Sequence, residues 1–184
     1  MRQTLAAIIF GVLLCPPLSA GAAEHHSQYA MLSAPRAARH VVKADRIVVL
    51  KGERQLVLMR GDRVLRVFPV ALGRYPKGPK TRKGDARTPE GRYTIDYRLG
   101  RGKSNFYKAL HISYPNAHDL ARANRLGVDP GGQIMIHGLP EHWTAKQLDH
   151  PYLDWTQGCI AVTDRQMDEI WKMVSDGTEI DIEP

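Results

Sequence analysis

From Asp45 to Leu72 the chain is broken into short runs of β-branched and apolar residues, and this punctuation limits the fold more than any other feature of the sequence. Arg46-Ile47-Val48-Val49-Leu50, Gln55-Leu56-Val57-Leu58-Met59 and Val64 through Leu72 are separated by Lys51-Gly52-Glu53-Arg54 and Arg60-Gly61-Asp62-Arg63. Those separators carry turn chemistry, so the segment predicts a β-meander. Further strands are expected at Tyr93–Tyr97, Leu110–Tyr114, Gln133–Ile136, Ile160–Val162 and Thr178–Ile182. Helices are fewer. One opens at Pro115-Asn116 and stops at Gly127, and a turn of helix is expected near Thr144–Leu148 inside the long loop Leu139–Asp154. Another starts at Thr163, where Thr163 and Gln166 have the spacing of a capping box, and ends at Gly177. Met167, Ile170, Trp171 and Val174 fall on one face of it and read as core. The fold class is mainly β, a β-rich α+β domain.

The N-terminus has the three parts of a secretory signal: Met1-Arg2-Gln3-Thr4, an apolar run from Leu5 to Leu14, and small residues at Ala20, Ala22 and Ala23. The apolar run is too short to span a membrane. Residues 1–22 are therefore expected to be a signal peptide, 23–44 a lead-in tether and 45–184 a single domain. The expected location is the periplasm, exported and associated with the envelope. Cys15 is expected to leave with the signal, lipid attachment being the alternative.

Loss of Cys15 leaves Cys159 unpaired in an oxidising compartment that normally converts cysteines to disulfides. A retained free thiol there calls for a reason, and nucleophilic catalysis is one; a buried inert thiol is the other. Cys159 lies in Trp155-Thr156-Gln157-Gly158-Cys159-Ile160, a glycine turn running into a strand. Upstream, Ile134-Met135-Ile136-His137-Gly138 is an apolar strand that ends on a histidine. An imidazole within reach of a thiol can take its proton, so His137 and Cys159 form a minimal nucleophilic pair.

Charge adds a second constraint. The formal net charge is +7, which suits anionic surroundings such as a wall polymer or a membrane surface, or else a merely solvated basic face. No RNA- or DNA-binding motif accompanies it, so no nucleic-acid partner is expected. The glycine- and lysine-rich loop from Gly73 to Gly84 lacks the spacing of a phosphate cradle. It reads as a basic border to an anionic substrate groove, or as a plain connection. Zinc hydrolysis is a rival, since His111, His118, Asp119, His137, His142 and His150 are potential ligands, but none has a metal-site spacing. No metal and no cofactor are expected. A wall-binding module with an inert Cys159 is the other rival.

Gly84-Asp85, Thr88-Pro89-Glu90-Gly91, Ile136-His137-Gly138 and Gly158-Cys159 stand in the order of the L,D-transpeptidase catalytic domain family, also called YkuD-type, which the chain resembles from about Arg46 to Ile182. The resemblance implies a β-sandwich with a few peripheral helices and cysteine-dependent acyl transfer on peptidoglycan stem peptides, as donor and acceptor. It implies Cys159 as nucleophile, His137 as general base and later acid, and the Gly138 carbonyl as the group that orients the imidazole. Main-chain N–H groups around Gly158 and Cys159 would face the oxyanion. Thr156, Gln157, Trp155 and Tyr107 are implied to lie along the substrate site; Tyr107, Tyr114 and Trp155 suit a groove or the core equally. Carbapenem-type inhibitors would acylate Cys159. Two positions depart from the family pattern: Gln157 stands where most members have histidine, and Ala161 where many have arginine. This form looks like that of members that hydrolyse, so an L,D-carboxypeptidase or an amidase releasing wall-linked lipoprotein is the alternative use of the same site.

Overall fold

The structure is a computed structural model and describes residues 41–184. The expected signal peptide, Cys15 and most of the expected tether lie outside the described residues. Within them, Ala44 is already part of the fold: it is buried, and its N–H donates to the carbonyl of Met173 at 2.9 Å.

Eight strands form one continuous sheet in the order β3-β2-β1-β8-β4-β5-β6-β7. They are β1 (Arg46–Leu50), β2 (Gln55–Arg60), β3 (Arg63–Pro69), β4 (Gly91–Leu99), β5 (Ala109–Ile112), β6 (Met135–His137), β7 (Ile160–Ala161) and β8 (Glu179–Glu183). Only β1–β8 and β6–β7 run parallel. The nine-residue β4 serves both halves of the sheet: its first half, Gly91 to Thr94, pairs with β8, and from Ile95 onward it pairs with β5. A register shift between Ile95 and Tyr97 marks the change of partner, as expected where a bulge bends a strand.

Turn chemistry and alternation account for the meander. β1 alternates half-buried and buried residues, with Ile47 and Val49 fully enclosed. β3 ends earlier than its apolar run predicts. Pro69, which has no N–H to give a ladder, is its last residue, and the chain then crosses to the far side of the sheet. There Ala71 exchanges both main-chain hydrogen bonds with Ala161 of β7, at 3.0 and 2.8 Å.

Two helices complete the described fold, α1 (Ala117–Leu126) and α2 (Asp164–Met173). Both have reciprocal capping boxes, Asn116 with Asp119 and Thr163 with Gln166. Gly127, at φ 64°, closes α1. Helix α2 ends at Met173 with Val174 as its cap, short of the expected Gly177, which instead turns the chain into β8. Met167 and Ile170 of α2 are fully enclosed and join the core formed by Ile47, Leu58, Ile95, Ile112, Ile136 and Ile160. The helical turn expected near Thr144–Leu148 is a run of turns: Thr144 caps locally, its Oγ1 and N–H both bonding Gln147 Oε1, and no α-helix propagates from it.

Candidate active site

Parallel pairing of β6 with β7 sets the site. His137 lies opposite Ala161 and Ile136 opposite Ile160. Two residues before Ala161, Cys159 therefore falls on the face of the sheet that His137 occupies. The thiol is partly exposed and lines a groove of about 560 Å³ with Lys80, Lys83, Gly131, Gly132, Gln133 and Gln157.

The turn that presents the thiol is tied locally. Thr156 Oγ1 donates to the Cys159 carbonyl at 2.7 Å and accepts the Gly158 N–H at 3.0 Å. Thr156 itself is held by its N–H to Leu72 O, 3.1 Å. Gly158 sits at φ 132°, where a Cβ would come within 2.6 Å of Arg87 O, so both conformation and space require glycine. The Gly158 N–H is thus engaged by Thr156, and of the two N–H groups expected at an oxyanion site only that of Cys159 is left. Gln157 is exposed at the groove rim.

The His137 ring is completely enclosed. Its Nδ1 is 2.6 Å from the Gly138 carbonyl, which as an acceptor fixes the proton on that nitrogen. Phe106 stacks on the ring at 3.7 Å and 17°, and Trp155 meets it edge-on at 5.8 Å. Gly138 has no room for a side chain: a Cβ would lie 2.7 Å from Asp164 Oδ1 and 3.0 Å from Tyr107 Cβ. Nε2 is buried without a partner. The thiol instead donates to Gln133 O at 3.6 Å, and no hydrogen bond joins sulfur and imidazole. The thiol has one proton, so a bond to Nε2 would require it to leave Gln133 O.

Electrostatics favour neutral partners at rest. Burial pushes the His137 imidazole down to about 4, against the Gly138 carbonyl, which favours the charged form, and with help from nearby His150. Burial pushes the Cys159 thiol up, opposed by the main chain of Met135 and the charge of Lys80. At neutral pH the His137 imidazole is therefore unprotonated and the Cys159 thiol intact.

Of the expected aromatic residues, Trp155 reaches His137, and Tyr107 packs on Gly138 and lines a second, smaller groove with Arg101, Leu139 and Trp143. Tyr114 belongs to the core instead, buried edge-to-face against Tyr93 with its hydroxyl on Pro130 O at 3.0 Å. The expected basic border of the groove is present as Lys80 and Lys83. Phe106, Gln133 and the Gly131-Gly132 wall were not singled out by the sequence, because loops far apart in the chain bring them here. Of the histidines and the aspartate considered as metal ligands, His111 pairs with Asp96 at 2.7 Å and Asp119 holds Tyr93 and Arg122. Among the described residues no group of three or more His, Cys, Asp or Glu side chains is placed to hold a metal ion.

Residues 44–182 match the family described as the L,D-transpeptidase catalytic domain, YkuD. Over 99 residues the chain is 34% identical to the L,D-transpeptidase-type protein YafK of Escherichia coli K12, covering 53% of this chain and 32% of that one. The match thus spans about a third of the curated relative's length. Among solved structures, the helical cell shape determining protein Pgp2 of Campylobacter jejuni superposes with a TM-score of 0.55 at 24% identity, over 77% of this chain and 48% of that one. Bd1075 of Bdellovibrio bacteriovorus gives 0.53 at 22%, over 79% and 50%. An L,D-transpeptidase of Xylanimonas cellulosilytica gives 0.52 at 16%, over 86% and 69%. These structural likenesses speak for the fold; with the family match over three quarters of the sequence, the chain belongs to the L,D-transpeptidase catalytic domain family.

Proposed function

We propose that this protein carries out cysteine-dependent acyl transfer on peptidoglycan stem peptides in the periplasm, through a thioester on Cys159. The observation that carries the reading is the placement of Cys159 at an open groove, on the same face of the β6–β7 ladder as a neutral, carbonyl-oriented His137.

The steps follow from those positions. Nε2 of His137 takes the thiol proton as the sulfur attacks the carbonyl carbon of a donor peptide. The Cys159 N–H stabilises the oxyanion. Collapse breaks the C–N bond, and the proton passes from His137 to the departing amine, a terminal D-alanine. An amine of a neighbouring stem then attacks the thioester, gives its proton to His137, and restores the thiol. The Gly138 carbonyl takes the orienting place that a carboxylate fills in other triads.

A second reading is hydrolysis at the same site, as an L,D-carboxypeptidase or an amidase acting on wall-linked lipoprotein. It is favoured by the partial exposure of Cys159 in an open groove, where water reaches a thioester as readily as an amine. Incubation with tetrapeptide muropeptides, followed by mass spectrometry, separates the readings. A cross-linked dimer supports transfer, and a shortened monomer supports hydrolysis. Turnover that persists in Cys159→Ala rules out both. Carbapenems are expected to add covalently to Cys159, read as a mass increase of the intact chain.

A further inference from the structure

We propose that Lys80 is a positioning residue for this reaction: held by Asp85 in the wall of the groove, its ammonium supplies the positive charge that stabilises the Cys159 thiolate as it forms. The proposal rests on Cys159 being the nucleophile, and its test does not require turnover.

Lys80 and Cys159 line the same groove, and the Lys80 side chain is only 4% exposed. Its Nζ donates to Asp85 Oδ1 at 2.7 Å and to Arg82 O at 3.1 Å, which engages two of its three protons. The Asp85 carboxylate has other donors to satisfy. It also accepts the N–H groups of Thr81 at 2.8 Å, Arg82 at 3.1 Å and Arg87 at 3.1 Å. Asp85 thus shares its two oxygens among four donors and fixes the ammonium in the groove wall.

The site has need of such a charge. A thiolate usually gains its stability from a cation beside it, yet His137 is fully enclosed and kept neutral, and the thiol points to Gln133 O. Among the described residues the charged groups lining the groove are Lys80, Lys83 and Asp129. Lys83 also has a carboxylate nearby, Asp129 at 3.8 Å, but it is 76% exposed, so solvent screens it. Lys80 is the shielded one, and a shielded charge acts over a longer range. During the reaction the thiol proton passes to Nε2 of His137 and the sulfur lone pair forms the new bond, while Lys80 acts through its charge alone.

Buried Lys51 provides a contrast. All three of its protons have acceptors, Gly78 O at 2.9 Å, Thr88 O at 3.0 Å and Glu90 Oε1 at 2.7 Å, and it does not line the groove.

The test is the rate of iodoacetamide alkylation of Cys159 as a function of pH, with the adduct located by peptide mapping, in the full chain and in Lys80→Met and Lys80→Arg. Lys80→Met is expected to move the midpoint upward by about one pH unit, a roughly tenfold lower rate at neutral pH. Lys80→Arg is expected to restore most of the difference. Because Lys80→Met leaves Asp85 buried and unpaired, Lys80→Met with Asp85→Asn removes both charges together and is expected to show the same upward shift. Curves that coincide with wild type in either methionine variant overturn the proposal, as does an arginine variant as slow as the methionine one. Should the thiolate role fail while Cys159→Ala still abolishes turnover, the reading of the active site stands without Lys80; persistence of turnover in Cys159→Ala sinks that reading itself.

Discussion

The two ends of the sheet are built to different rules. Around β1, β2 and β8 the strands are five or six residues long, Ile47, Val49, Leu58 and Ile180 are completely enclosed, and buried Lys51 has every proton engaged. Around β6 and β7 the strands have three and two residues, and Nε2 of His137, both ring nitrogens of His150 and Nε1 of Trp155 are buried without partners. Each such group forgoes about 1–3 kcal/mol of hydrogen bonding. Apolar burial at the first end offsets that deficit, and the deficit leaves Nε2 of His137 without a competing partner.

The largest effect that sharpens this contrast is at Cys159. Cys159→Ala is expected to abolish product formation from tetrapeptide muropeptides with its thermal midpoint close to wild type; a large drop in the midpoint would mean that the site end carries stability after all. His137→Ala comes next, with a loss of about 10² to 10⁴-fold in kcat/KM, the usual contribution of a positioned base. Leu58→Ala tests the other end. It should cost about 3 kcal/mol in urea denaturation, the cost of a cavity under a fully enclosed side chain, and leave kcat of the folded fraction unchanged.

Acid should expose the site end by a comparable amount. His137 binds a proton only near pH 4 when folded, against 6.5 unfolded, so the unfolded chain gains protons first as pH falls. The stability held above pH 6.5 is then lost progressively down to about 4, by up to about 3 kcal/mol. His150, also pushed down by burial, adds in the same direction. Urea midpoints at pH 7 and 4.5 measure this loss, which should shrink in His137→Gln; an equal loss in that variant would assign it elsewhere. The smallest effect is Tyr114→Phe. Losing the hydroxyl bond to Pro130 O should cost about 1 kcal/mol and leave the muropeptide KM unchanged; a raised KM would return Tyr114 to the groove.

Much of this architecture could be read in the sequence because it is locally encoded. The meander follows from Lys51-Gly52 and Gly61-Asp62 between β-branched runs, and the start of α2 follows from Thr163 and Gln166, whose two bonds are both made. His137-Gly138 and Gly158-Cys159 stood out in the sequence as an apolar strand ending in histidine and an unpaired cysteine after a glycine, and the structure adds that neither glycine has room for a Cβ. What escaped is long-range. Phe106 stacks on His137 from thirty-one positions away, and Gln133 accepts the thiol only because β6 starts beside it. Nor does sequence spacing reveal that the Gly158 N–H is spent on Thr156. The turn at Thr144 has helical composition without a packed face to hold a helix, so local propensity misled there.

The exchange of hydrogen bonds between Ala71 and Ala161 has a consequence for how a peptide must approach. With β6 on one flank and residue 71 on the other, β7, which follows Cys159 directly, has both of its edges paired. An extended peptide would therefore not dock there by lengthening the sheet, as peptides do on many other proteins. The groove beside Cys159 is walled instead by residues 80–84 and 129–134, so under the proposed function an exchange of those two loops is expected to change which peptides are accepted.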